Sequence, residues 1–160
     1  MTTSFNPMAL ATAGAVRSVA VALGERSYDV LIGPGLLKQA GALIAERLGK
    51  VKCGIVTDEN VAKHHLAALQ DSLAAAGLQS EAIVLTPGEA TKSFRELGPL
   101  CERLLEMGLE RGDIVVPFGG GVIGDLAGFA AGILRRGIRF VQIPTSVSYT
   151  HLDVYKRQCV

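Results

Sequence analysis

The pattern of apolar and polar positions switches repeatedly between a period of two and a helical period. Val16 to Leu23 and Tyr28 to Ile32 read as strands on either side of the turn Gly24-Glu25-Arg26-Ser27, which predicts a hairpin. Gly33-Pro34-Gly35 breaks the chain. Leu36 to Leu48 carries apolar residues at helical spacing and stops at Gly49, a suitable C-terminal cap. Val51 to Thr57 predicts a strand ending in Thr57-Asp58-Glu59-Asn60, followed by a helix over about 61–76 closed by Gly77. Glu81 to Leu85 predicts the next strand, and a helix over about 94–107 stops at Gly108. Ile114 to Phe118 is a third apolar run. It leads through Gly119-Gly120-Gly121-Val122-Ile123-Gly124-Asp125 into an amphipathic segment, and Arg139 to Ile143 predicts the last strand. Strands alternating with helices imply a mostly parallel sheet with right-handed crossovers. The expected fold class is therefore α/β, Rossmann-like, with an N-terminal β-hairpin.

Composition changes this picture little. A chain of 160 residues suits one domain with a proper core. Hydrophobic content of 49%, 19 glycines and no tryptophan fit small-residue helices on aliphatic strands. A formal charge of +1 gives no electrostatic case for nucleic acid or an anionic membrane. Cys53, Cys101 and Cys159 have no metal-ligand spacing, and Cys53 reads as core. Their sparse, odd number fits a reducing cytoplasm. The apolar lead-in Met8-Ala9-Leu10-Ala11 has no positive charge before Arg17, unlike a secretory signal. No stretch approaches the ~20 apolar residues of a membrane span. The expectation is a soluble, cytoplasmic protein.

Candidate chemistry gathers at the carboxyl ends of the predicted strands, where open α/β sheets bind ligands. Asp58 and Asn60 stand at one end. Glu89 and Lys92 stand at the next, within Thr86-Pro87-Gly88-Glu89-Ala90-Thr91-Lys92-Ser93. The glycine turn stands at a third, with Asp125 expected in the first helical turn, and Thr145 after Pro144 stands at a fourth. Glycines in a strand-to-helix turn permit positive φ and close approach of a ligand to the main chain. The helix N–H groups and dipole then favour an anion such as a pyrophosphate. Each residue also has a plainer reading. The turn can bind nothing, Asp58 or Ser93 can simply cap a helix, and Lys92 can be solvated or in a surface ion pair with Glu89. His64 and His65 read as surface residues of a helix.

Taken together, these segments resemble the 3-dehydroquinate synthase family. The resemblance rests on Gly33-Pro34-Gly35, Thr57-Asp58-Glu59-Asn60, Pro87 to Ser93, Gly119 to Ala131, and Arg136-Gly137-Ile138-Arg139-Phe140-Val141-Gln142-Ile143-Pro144-Thr145, in the family's order. It implies an NAD- and metal-dependent carbon–oxygen lyase of the shikimate pathway. Such an enzyme converts 3-deoxy-D-arabino-heptulosonate 7-phosphate to 3-dehydroquinate and phosphate. It also implies an N-terminal NAD-binding α/β domain, a helical C-terminal domain, a divalent zinc or cobalt ion and, generally, a homodimer. By resemblance, Asp58 and Asn60 meet the adenosine end of NAD. Gly88, Glu89 and Lys92 also bind NAD, while Gly120, Gly121, Val122, Ile123 and Gly124 give main-chain contact to its pyrophosphate. Asp125 lies beside nicotinamide and substrate as cofactor-binding and catalytic residue. Thr145 and Ser146 line the nicotinamide side, and Arg136 reaches the substrate phosphate.

The resemblance is expected to end after Ser146, which stands where the family has a second threonine. The predicted division is a weakly ordered lead-in over 1–15, an NAD-binding domain over 16–146 and a non-family tail over 147–160. The tail is expected to pack poorly. His151 and Asp153 are assigned to no metal site, and the family's metal ligands and active-site lysines find no counterpart. A truncated, inactive member is therefore expected. The alternatives are a related sugar-phosphate cyclase resembling 2-deoxy-scyllo-inosose synthase, or an NAD-binding module without catalysis.

Overall fold

The computed structural model describes residues 16–146; the predicted lead-in and tail, with Cys159, His151 and Asp153, lie outside the described residues. The hairpin forms as an antiparallel pair, β1 (Arg17–Val21) and β2 (Tyr28–Ile32), making its own two-stranded sheet. Its turn is closed by Ser27, whose Oγ accepts from Leu23 N at 3.0 Å and donates to Gly24 O at 2.6 Å. An Arg47–Asp29 ion pair of 2.9 Å ties β2 to helix α1 (Leu36–Leu48).

The main sheet is parallel throughout. It contains β3 (Lys52–Asp58), β4 (Gln79–Leu85), β5 (Ile114–Gly119), β6 (Arg139–Phe140) and β7 (Ile143–Pro144). The order is β4-β3-β5-β6, with β7 also pairing β5. β3 and β5 are the inner strands. Nearly every residue in them is buried, which is why their sequences are continuous apolar runs rather than alternating ones. Their side chains point alternately to two cores. Cys53, Ile55, Ile114, Val116 and Phe118 pack with α1 and α3 (Ala67–Ala75) on one face. Val56 and Val115 pack with α4 (Phe94–Glu106) and α5 (Gly121–Ile133) on the other. The result is a helix–sheet–helix sandwich. Burial, with a smaller push from Asp113, raises the Cys53 thiol to about 11, so it is a core group and not a nucleophile.

Several predicted boundaries change. Asp58 caps the chain early, its Oδ1 accepting from Asn60 N at 2.9 Å and Val61 N at 3.1 Å. Helix α2 (Glu59–Val61) therefore begins before residue 61, and a π-helical turn (Ala62–Leu66) joins it to α3. His64 and His65 lie exposed on that turn. β4 begins at Gln79 rather than Glu81.

The last strand, expected unbroken from Arg139 to Ile143, is split in two. The pairings Ile114↔Arg139 and Phe118↔Ile143 keep one register across the gap, so no residue has been inserted. Val141 N still donates to Val115 O at 3.0 Å. In a parallel ladder the reciprocal bond would run from residue 117 N–H to the Val141 carbonyl. Residue 117 is Pro117, which has no N–H to give.

Candidate functional site

The chain leaves β3 for β4 through helices on one face, then returns through α4 on the opposite face to β5, on the other side of β3. The order of strands therefore reverses between β3 and β5. Sheets with such a reversal carry a crevice at the carboxyl ends there, the usual ligand position. Asp58 ends β3 on one side, and the glycine turn ends β5 on the other.

The glycine turn works by lacking side chains. None of Gly119, Gly120, Gly121 or Gly124 has the positive φ that the sequence had suggested. A β-carbon at Gly119 would sit 2.9 Å from Ile123 Cβ and Cγ1, so its absence lets the helix start tight against the strand. Gly120 is the N-cap of α5 in extended geometry, φ −78° and ψ −168°, with no side-chain cap. The closest neighbour to a β-carbon there would be Ser146 Oγ, at 3.5 Å. Gly124 N donates to Gly120 O at 3.0 Å, closing the first turn. Ile123 is buried in the core, so it and half-buried Val122 have main-chain groups to offer at the helix start. Thr145 and Ser146, both exposed, are held beside this turn because Thr145 N donates to Gly119 O at 3.0 Å.

Asp125 lies one turn later than expected. α5 begins at Gly121, which places Asp125 in the second turn. Its carboxylate meets Lys92 Nζ at 2.5 Å. The partner of Lys92 in this ion pair is thus Asp125 on α5, not its neighbour Glu89.

Lys92 is positioned by a loop with a fixed internal frame. Gly88 takes φ 111° and ψ 164°, a region essentially closed to other residues. Thr91 is buried and its Oγ1 donates to Thr86 O at 2.6 Å, while Lys92 N donates to Glu89 O at 3.0 Å. Ser93 Oγ then accepts from Glu96 N at 3.4 Å and caps α4. The sequence pattern alone assigns Thr91 no role; its place between the loop glycine and the loop lysine is the available signal. A β-carbon at Gly88 would meet nothing within 4 Å, so Gly88→Ala tests backbone strain alone. It is expected to cost about 1–3 kcal/mol in urea unfolding.

The site brings together Asp58, the 88–92 loop, Gly119 to Asp125, and Thr145 with Ser146. Asp58 is engaged as a helix cap, and Asn60 is exposed beside it. Arg136 is not part of this group. It follows the 13-residue α5, and at 1.5 Å per residue its end of the helix is about 20 Å from the glycine turn. There Arg135 and Arg136 take left-handed φ of 52° and 65°, followed by Gly137 at 104°. Among the described residues no three His, Cys, Asp or Glu side chains converge as a metal site. No helix among them is long and apolar enough to cross a membrane.

Comparison with known proteins agrees with this architecture. Residues 82–153 match the family described as 3-dehydroquinate synthase N-terminal, a span running past Ser146. The 3-dehydroquinate synthase of Rhizobium johnstonii is 59% identical over 139 residues, covering 87% of this chain and 37% of the relative. That of Ruegeria pomeroyi is 57% identical over 132 residues, covering 82% and 36%. Among solved structures, 2-deoxy-scyllo-inosose synthase shares the fold, with a TM-score of 0.73 at 22% identity over 81% of this chain and 36% of that one. The 2-epi-5-epi-valiolone synthase of Streptomyces hygroscopicus, solved with NAD+ and Zn2+ bound, matches with a TM-score of 0.67 at 31% identity, covering 79% and 34%. The chain thus spans little more than a third of the length of the curated relatives it matches. Its similarity is to the N-terminal part of the 3-dehydroquinate synthases.

Proposed function

We propose that residues 16–146 are the NAD-binding domain of a 3-dehydroquinate synthase whose parent converts 3-deoxy-D-arabino-heptulosonate 7-phosphate to 3-dehydroquinate and phosphate. The observation that carries this reading is the meeting of a side-chain-free helix N-terminus with Lys92 at the β3/β5 crevice. Such a site suits a diphosphate: main-chain N–H groups and one cation face a ligand that carries negative charge. Gly120, Gly121, Val122, Ile123 and Gly124 would hold the pyrophosphate of NAD by their backbone. Gly88, Glu89 and Lys92 would close over it, and Asp58 with Asn60 would take the adenosine end. Asp125, Thr145 and Ser146 would face the nicotinamide. Bound there, NAD would supply transient oxidation of a carbinol, which would acidify the proton removed when phosphate is eliminated.

The described residues do not fit a divalent metal, because no three His, Cys, Asp or Glu side chains converge among them. Zinc or cobalt belongs, in this reading, to the remainder of the parent. Arg136, distant from the turn, would serve the substrate phosphate from the far end of α5, consistent with a homodimeric parent. The cytoplasm is the compartment that fits such a biosynthetic enzyme.

A half-formed site bears the ordering cost of binding while losing part of the contact. Calorimetric titration of this chain with NAD is therefore expected to give a high micromolar to millimolar Kd, roughly −4 to −5 kcal/mol. Phosphate release from the heptulosonate phosphate is expected at background. Sub-micromolar binding, or turnover with added zinc, would overturn this division of labour. A related sugar-phosphate cyclase remains the second reading, favoured by the fold match to 2-epi-5-epi-valiolone synthase. The identity of 59% to a dehydroquinate synthase weighs against it. Turnover of the complete parent on each sugar phosphate separates the two.

A further inference from the structure

We propose that Asp125 acts as a latch: it holds Lys92 across the crevice and yields it to the diphosphate of an incoming dinucleotide. This rests on the NAD reading above. Lys92 belongs to the loop after β4, and Asp125 to the helix after β5. Strand β3 lies between those two strands, so their 2.5 Å ion pair spans the carboxyl end of β3. The hydrogen bonds from Thr91 to Thr86 and from Lys92 to Glu89 are internal to the loop. The Lys92–Asp125 pair, by contrast, fastens that loop to α5. It is also open to exchange, because the two side chains are 41% and 25% exposed. An ammonium is a point charge on a flexible stem and can move from one anion to another.

The direction of the effect follows from charge. A carboxylate on the ammonium cancels the attraction that the site offers to a diphosphate, and itself repels that ligand. Entry of the diphosphate therefore competes with the existing pair. The carboxylate restrains affinity, and the loop is fixed both before and after the exchange.

The test uses the full chain and ADP-ribose, which carries the diphosphate without nicotinamide. Asp125→Asn is expected to tighten ADP-ribose by about two- to fivefold, the worth of one partly exposed ion pair. The gain should vanish in the Lys92→Met background, where the double variant should bind no better than Lys92→Met alone. In the absence of ligand, Asp125→Asn should also speed amide hydrogen exchange at Thr91, Lys92 and Ser93, whose N–H groups are bonded within the loop. Unchanged or weaker binding by Asp125→Asn, an equal gain without Lys92, or unchanged loop exchange would each overturn the latch. Binding of ADP-ribose by none of the variants would overturn the NAD reading and the latch with it.

Discussion

Gly120→Asp is expected to remove NAD binding while leaving the fold as stable as before, or slightly more so. Gly120 has the extended φ and ψ that any residue adopts, and a β-carbon there would meet nothing closer than Ser146 Oγ at 3.5 Å. Aspartate is a better N-cap than glycine by a few tenths of a kcal/mol. The same carboxylate would occupy the place proposed for the pyrophosphate. Like charges set against each other in a binding site cost several kcal/mol, so affinity should fall by at least about thirtyfold. Gly120→Ala, which adds bulk without charge, should lie between the two. Calorimetric titration with NAD beside thermal unfolding of each variant checks both halves. Retained binding in Gly120→Asp would mean that the turn is only a structural junction.

Gly41→Ala should be the most destabilising small substitution in the sandwich. Intrinsic propensity predicts the opposite, since alanine is favoured over glycine in a helix interior by about 1 kcal/mol. Tertiary packing decides the sign. A β-carbon on Gly41 would lie 1.9 Å from the Ser72 carbonyl oxygen and 2.9 Å from Leu73 Cα. Both atoms are backbone of α3, so no rotamer can relieve the overlap. The helices are also fastened at this crossing. Ser72 Oγ accepts from Gly41 N at 3.0 Å and donates to Lys38 O at 2.9 Å. Separating α1 from α3 would break these bonds and open the core around Ala40, Ile44, Leu69 and Leu73. The net loss is expected to be about 3 kcal/mol, with the Tm falling by roughly 10 °C. Urea and thermal unfolding measure it directly. A stabilised variant would show that the helices have room to part.

The difference between these substitutions marks how far a one-dimensional pattern reaches. The alternation of apolar runs with helical stripes was sufficient for the hairpin, the parallel sheet and the location of the glycine turn. Each follows from local period and from turn residues beside it. The strand-end rule likewise brought Asp58, Lys92 and Gly120 toward one edge before any contact was known. The motif similarity carried the expectation of NAD, which periodicity alone left open.

Other features arise only between segments distant in sequence. That Lys92 pairs with Asp125 depends on which strand lies between their two loops, and no local signal records strand order. Thr91 becomes a loop anchor through the carbonyl of Thr86, a contact made by the fold of the loop itself. The break between β6 and β7 belongs to Pro117 on the neighbouring strand, because a missing N–H is felt by its ladder partner. Gly41 is indispensable because of Ser72 on another helix, although its own helix would accept alanine. The sequence by itself determined the elements and which polar residues stand at their ends, since these depend on neighbours within one or two turns. Only the tertiary structure decided partners, crossings and gaps, because those depend on which backbone atoms the folded sheet brings within a few ångströms.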